Sequence, residues 1–163
     1  EYYFRATHED PQLDKAWITL ADFHYLRHNH AKALKYIKKV LTFESNEPYY
    51  WRRYAELNYF EFQNLEEAEY GYRKAVQNGD YSYNTLIEWV DLMFLTQKYG
   101  DALPIVADIV HIYPHELNNY FRLSLAYYGV GDEHTALQYY QMGVTKAPEW
   151  QSFFEHKFNF KIQ

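Results

Sequence analysis

The sequence predicts an all-α solenoid of antiparallel helix pairs, and three observations carry that expectation. Alanines recur at Ala33, Ala68, Ala102 and Ala136, with separations of 35, 34 and 34 residues. Four residues after each stands a large side chain, Ile37, Tyr72, Val106 or Tyr140. Before each lies a stretch opening on Trp17, Trp51, Leu86 or Tyr120. Three residues on come Leu20, Tyr54, Trp89 and Leu123, followed at once by the smaller Ala21, Ala55, Val90 and Ser124. Spacings of three and four residues set side chains on one helical face. A single helical hairpin cannot bury both its faces, so such a unit must stack on copies of itself.

The clearest hairpin is 117–150. Tyr120, Leu123, Ser124 and Tyr127 line one face of its first helix, and Ala136, Tyr140 and Gly143 line one face of its second. Gly129-Val130-Gly131-Asp132 turns between them, and Pro148 stops the second. Three further pairs precede it, at 14–47, 48–82 and 83–116. The second is one residue longer, and the excess is expected in its turn, around Phe62-Gln63-Asn64. A closing proline stands at Pro114 and Pro148, whereas Ser45 and Asp80 take its place in the first two pairs. Tyr3, Ala6 and Pro11 have the spacing of the end of a pair, so 1–13 is expected to be the second helix of a partial repeat. Residues 151–163 are expected to form a C-terminal helix. Phe154 and Phe158 would cover the last hairpin, leaving Phe153 and Phe160 for further chain or a second subunit. All of 1–163 is expected to form a single domain.

The pattern W-x2-L-G-x2-Y, then A-x3-F, then Pro, with a period of 34, resembles the tetratricopeptide repeat over essentially the whole length. No pair has the family's Gly after the Leu, and Ala21, Ala55, Val90 and Ser124 stand there instead. The resemblance implies a right-handed superhelical, TPR-like solenoid acting as a protein-binding scaffold. It also implies that positions 2, 5, 9, 12 and 13 of each repeat face a partner in a concave groove. Those positions carry Lys15, Ile18, Asp22, Tyr25 and Leu26 in the first repeat, and Tyr49, Arg52, Glu56, Tyr59 and Phe60 in the second. They carry Asn84, Ile87, Asp91, Phe94 and Leu95 in the third, and Asn118, Phe121, Leu125, Tyr128 and Gly129 in the fourth. Spacing alone also makes positions 2, 5, 9 and 12 one helical stripe. About half of these side chains are expected to pack on neighbouring repeats, and the remainder to form an exposed apolar patch. Asp22, Glu56 and Asp91 at position 9 are expected to form a column of like charges, screened by water or a cation and partly neutralised by Arg52.

Composition narrows the function. The chain has 163 residues, 48% hydrophobic and 21% aromatic, among them 19 tyrosines, whose polar-tipped rings suit half-buried surfaces and interfaces. A net charge of −6 is not the basic footprint of a nucleic-acid binder. No apolar run is long enough to span a membrane. With no cysteine there is neither a disulfide framework nor thiol chemistry, which is compatible with the cytoplasm or an exported compartment. There is no initiator Met, as in a processed form or part of a longer chain.

Catalytic and metal readings are weak. His24 and His28 are spaced i, i+4 with His30 close by, but His24 falls where a core ring belongs and HYLRH lacks the Glu of H-E-x-x-H. His111 and His115 have Pro114 between them. Glu66, Glu67 and Glu69 suit the N-terminal turn of a helix. No G-x-S-x-G, P-loop or G-x-G-x-x-G motif is present, and no cofactor is expected. Within 51–76, Trp51, Tyr54, Glu56, Arg73 and Ala75 resemble the half-a-tetratricopeptide repeats of RNA-processing assemblies. The family's carboxylate clamp of Lys, Asn and Arg at positions 5 and 9 is replaced here by Ile18, Asp22, Arg52, Glu56, Ile87 and Asp91. The expected partner is therefore a protein or peptide bearing basic and apolar residues, with self-association through the open ends as the alternative.

Overall fold

The computed structural model describes residues 14–43 and 46–157, and all regular structure among them is helical. The expectations for 1–13, Ser45 and 158–163 lie outside the described residues. The chain divides into two compact units, residues 1–81 and 82–163. The first contains α1 (Asp14–Leu26), α2 (His30–Leu41), α3 (Pro48–Glu56) and α4 (Leu65–Gln77). The second contains α5 (Tyr83–Leu95), α6 (Tyr99–Ile112), α7 (Asn119–Gly129), α8 (Glu133–Lys146), a 3-10 turn at Pro148–Trp150 and α9 (Gln151–Lys157).

Helices pack in sequential pairs, α1 on α2, α3 on α4, α5 on α6 and α7 on α8. The periodic alanines explain how. Ala33, Ala68, Ala102 and Ala136 are fully buried, and Ile37, Tyr72 and Val106 are buried one turn on. Tyr140 is half-buried, and its hydroxyl bonds Glu155 and accepts from Gln151 Nε2 at 2.9 Å. In the last pair Ser124 Oγ donates to the Ala136 carbonyl at 2.7 Å. In the second, a Cβ at Gly71 would lie 2.9 Å from the backbone nitrogen of Ala55, a contact no other residue type tolerates.

The turns follow one rule. The N–H groups of Asn29, Lys98 and Asp132 reach back five residues to the carbonyls of His24, Met93 and Tyr127, at 2.9, 2.8 and 2.9 Å. This Schellman closure requires a left-handed residue just before, and His28, Gln97 and Gly131 have φ of 56, 59 and 87°. In the second pair Gln63 takes that role at φ 51°, but Asn64 N–H reaches six residues back, to Asn58, at 2.8 Å. The extra residue is wound into a π-helical turn, Leu57–Glu61, one turn earlier than around Phe62-Gln63-Asn64. Asn58 is buried there and donates to the Tyr54 carbonyl at 2.8 Å. The side chains of Asn29, Asn64 and Asp132 then cap the next helix by accepting from Lys32, Glu67 and Thr135 N–H; Lys98 makes no such bond.

The first unit's core gathers Ile18, Ala21, Ile37, Val40, Tyr50, Tyr54 and Leu57. Half-buried Trp17 lies 5.7 Å from Tyr36, and His24 stacks on the same ring at 5.4 Å, in the place of a core aromatic. In the second unit Phe121 stacks on Phe154 at 5.3 Å and meets Tyr140 edge-on at 5.8 Å. That contact seats α9 on the last hairpin, as expected for Phe154.

Candidate functional site

The acids at position 9 are paired, and the pairing follows a spacing. Asp22 Oδ1 lies 3.4 Å from Arg53 Nε, and Asp91 Oδ1 lies 2.9 Å from Arg122 Nε. Both arginines stand 31 residues after their acid, at position 6 of the next repeat. A single geometry is thus built once in each unit.

In the first unit Asp22 Oδ2 accepts from the Tyr49 hydroxyl at 2.9 Å. Arg53 donates from Nε to Tyr49 Oη at 3.1 Å and from a terminal nitrogen to Glu56 Oε2 at 2.9 Å. Its guanidinium covers the rings of Tyr25 and Tyr49, 5.1 and 5.4 Å from their centroids. Arg52 lies 3.5 Å from Glu56 and 3.9 Å from Asp80. Burial disfavours the Arg53 charge, but its bonds to Tyr49 and Glu56 outweigh this and raise its pKa. Burial also raises the Tyr49 hydroxyl, and it pushes Tyr50, bonded to Asp14 at 3.3 Å, up to about 12. Arg52 and Arg53 are thus each held between two carboxylates, Arg52 by Glu56 and Asp80 and Arg53 by Asp22 and Glu56.

The second unit's version is buried. Arg122 takes Asp91 side-on through two nitrogens at 2.9 and 3.2 Å, and Lys157 Nζ reaches Asp91 Oδ2 at 2.7 Å. Arg122 also donates to Asn119 Oδ1 at 3.2 Å, and its guanidinium lies 4.9 Å from the Phe154 ring centroid. The Tyr83 hydroxyl lies 3.2 Å from both Asn118 Oδ1 and Asn119 Oδ1, and burial raises its pKa.

This corrects the expectation of a screened column of repelling acids. Asp22 and Glu56 share Arg53, and Asp91 is enclosed by two cations, so none stands as a free carboxylate. Of the expected partner-facing side chains, Ile18, Asp91, Phe94, Asn118, Phe121 and Leu125 are buried and cannot be touched from solution. Phe94 stacks on Tyr99 at 5.8 Å, and Phe121 belongs to the aromatic cluster with Phe154. Asp22, Tyr25, Tyr49, Arg52, Glu56, Tyr59 and Ile87 are half-buried. Lys15, Leu26, Phe60, Asn84, Leu95, Tyr128 and Gly129 are exposed. Leu26 at 77% and Phe60 at 55% relative exposure are the most open apolar members of the stripe. Tyr59 leans on Phe60 with centroids 4.6 Å apart. Sequence reasoning missed Arg53, Arg122 and Lys157. An acid followed 31 residues later by an arginine, twice, was the available signal for the first two.

Of the histidines weighed as ligands, His30 Nδ1 lies 2.6 Å from Glu61 Oε2 and His28 stacks on His30 at 5.8 Å. Among the described residues no group of three or more potential ligands is arranged to hold a metal ion, and no helix is long and apolar enough to cross a membrane.

The arrangement is that of tetratricopeptide-repeat structures. MamA from residue 41 onward, from Desulfovibrio magneticus RS-1, is 18% identical, with 90% of this chain and 85% of that chain covered and a TM-score of 0.72. YrrB, described as a TPR protein with an unusual peptide-binding site, is 15% identical over 97% of this chain and 80% of that one, with a TM-score of 0.78. Naa15/Naa10 bound to HypK-THB is 17% identical over 85% of this chain and 21% of that one, with a TM-score of 0.69. No family model and no curated protein matches the sequence. The likeness to solved structures establishes the fold: the chain is TPR-like.

Proposed function

We propose that the chain is a non-catalytic protein-interaction scaffold that takes an extended peptide or a helix of another protein on the first-helix face of its first unit. The observation that carries this reading is the state of the stripe there. Arg53 and Arg52 hold Tyr25 and Tyr49 from above, while Leu26 and Phe60 stay open to solvent. A rigid ring array beside exposed apolar side chains is the usual anatomy of a binding surface. The half-buried carboxylates of Asp22 and Glu56 favour Lys or Arg in the partner and steer its approach, and the rings supply most of the affinity. A TPR-like fold, and the peptide-binding site of YrrB, agree with this use of the scaffold.

A random peptide library displayed on phage and selected on the immobilised protein tests it. Selected peptides should carry spaced apolar residues with Lys or Arg, and Leu26→Ala/Phe60→Ala should weaken them at least tenfold. Equal binding to that variant would remove the first-unit face as the site.

A second reading is self-association through the C-terminal end. Trp150 and Phe153 are exposed and meet edge-on at 5.5 Å. Sedimentation mass measured for the protein and for Phe153→Asp separates the two readings.

A further inference from the structure

The strongest feature outside the stripe is a cleft of about 470 Å³ lined by Trp17 of α1 and by Lys35, Tyr36, Lys38, Lys39 and Thr42 of α2 and its C-terminal end. Its charge is opposite to that of the chain. α2 carries Lys32, Lys35, Lys38 and Lys39 and no acid, while the whole sequence has a net charge of −6. On a helix turning 100° per residue, Lys32, Lys35, Lys38 and Lys39 fall on a single face. The cleft's aromatic part is Trp17 and Tyr36, 5.7 Å apart, and His24 stacks on the Tyr36 ring at 5.4 Å. Two of the lysines are steadied by rings, Lys38 over Tyr54 at 5.9 Å and Lys39 over Phe43 at 5.1 Å. Lys35, Lys38 and Lys39 are exposed and line the same hollow as the Trp17 and Tyr36 rings.

We propose that this cleft binds an acidic peptide segment of a partner protein, with one aromatic side chain seated against Trp17 and Tyr36 and carboxylates against the α2 lysines. The helix rises about 6 Å from Lys35 to Lys39. An extended chain advances about 6.6 Å over two residues. Acids in Glu-x-Glu spacing therefore match lysines in i, i+4 spacing, which favours an extended peptide over a compact ligand. A nucleotide would use the same ring and charge chemistry, but its phosphates need convergent donors, and these lysines are strung along a helix. The site is distinct from the stripe and stands or falls independently of it.

The test is an array of 12-residue peptides in which Phe, Trp or Ala is placed beside zero, two or four glutamates in Glu-x-Glu spacing. It is probed with the full chain, and hits are measured by fluorescence anisotropy. Affinity should rise with glutamate number and fall at least tenfold when the aromatic is replaced by Ala. It should fall steeply between 50 and 500 mM salt. Lys35→Glu/Lys39→Glu should abolish it, with helix content by circular dichroism unchanged because both side chains are exposed. No binding by any glutamate-rich aromatic peptide, or binding indifferent to the lysine substitutions, would overturn the proposal. Binding of ATP in place of every peptide, lost in the same variant, would reassign the cleft to nucleotides and overturn it as well.

Discussion

His28, Gln63 and Gln97 hold a left-handed backbone without being glycine, at φ of 56, 51 and 59°. The fourth turn puts Gly131 at the equivalent place, with φ 87°. A left-handed L-residue costs about 1–2 kcal/mol, and glycine returns part of that through its greater freedom in the unfolded chain. Gln97→Gly should therefore raise stability by about 0.5–1 kcal/mol in urea denaturation, and a loss would mean that the Gln97 side chain has an unrecognised structural role. The fourth turn was legible because its residue is Gly; the others were not, because the Schellman closure rather than residue type sets their φ. The cap at Asp132 gives a pH signature. Its carboxylate accepts from Thr135 N–H at 3.0 Å, which holds its pKa below the usual carboxylate value. A carboxyl depressed in the folded state stabilises above its unfolded pKa and ceases to as pH falls through the folded one. Asp132→Ala should be less stable than the parent at neutral pH, and the gap should close toward pH 3 in thermal melts. A gap that persists unchanged at low pH would show that charge is not what the cap contributes.

At the scale of the helix pair, the buried alanines explain why the period was readable. Each sits where two backbones meet, so its size is constrained whatever the rest of the repeat contains. Ala136→Leu should cost about 1–3 kcal/mol by overpacking against α7, whose Ser124 bonds the Ala136 carbonyl. Full stability in that variant would break the assigned register. α6 lacks the side-chain cap that opens α2, α4 and α8. Lys98→Asn should supply it and raise stability by about 0.5–1 kcal/mol, seen as a higher midpoint at unchanged denaturant slope. The extra residue of the second pair was located by counting but misplaced by one turn. Counting finds an insertion, while its position depends on where a helix can widen, and buried Asn58 provides that place.

At the scale of the whole chain, the stripe was legible as a period and illegible as a surface. Periodicity says which side chains share a helical face; burial depends on partners 31 and 66 residues away, such as Arg122 and Lys157 for Asp91. The same acid–arginine spacing consequently has two different energies. Asp22 and Arg53 are partly open to water, where an ion pair is worth up to about 1 kcal/mol. Asp91 and Arg122 are buried, and removing one partner strands the other charge, at a cost of about 3–5 kcal/mol. Asp22→Ala should therefore leave stability nearly unchanged, whereas Asp91→Ala should be strongly destabilising. In a chain of stacked hairpins stability is approximately a sum of local and neighbour contributions, so the damage should be regional. Native-state hydrogen exchange on Asp91→Ala should show protection lost across 83–157 while the amides of α1 to α4 keep most of theirs. Equal loss along the whole chain would mean that the repeats unfold as one cooperative block and that the neighbour sum does not describe this protein. Loss of protection in Asp22→Ala as large as in Asp91→Ala would instead remove burial as the cause of the difference.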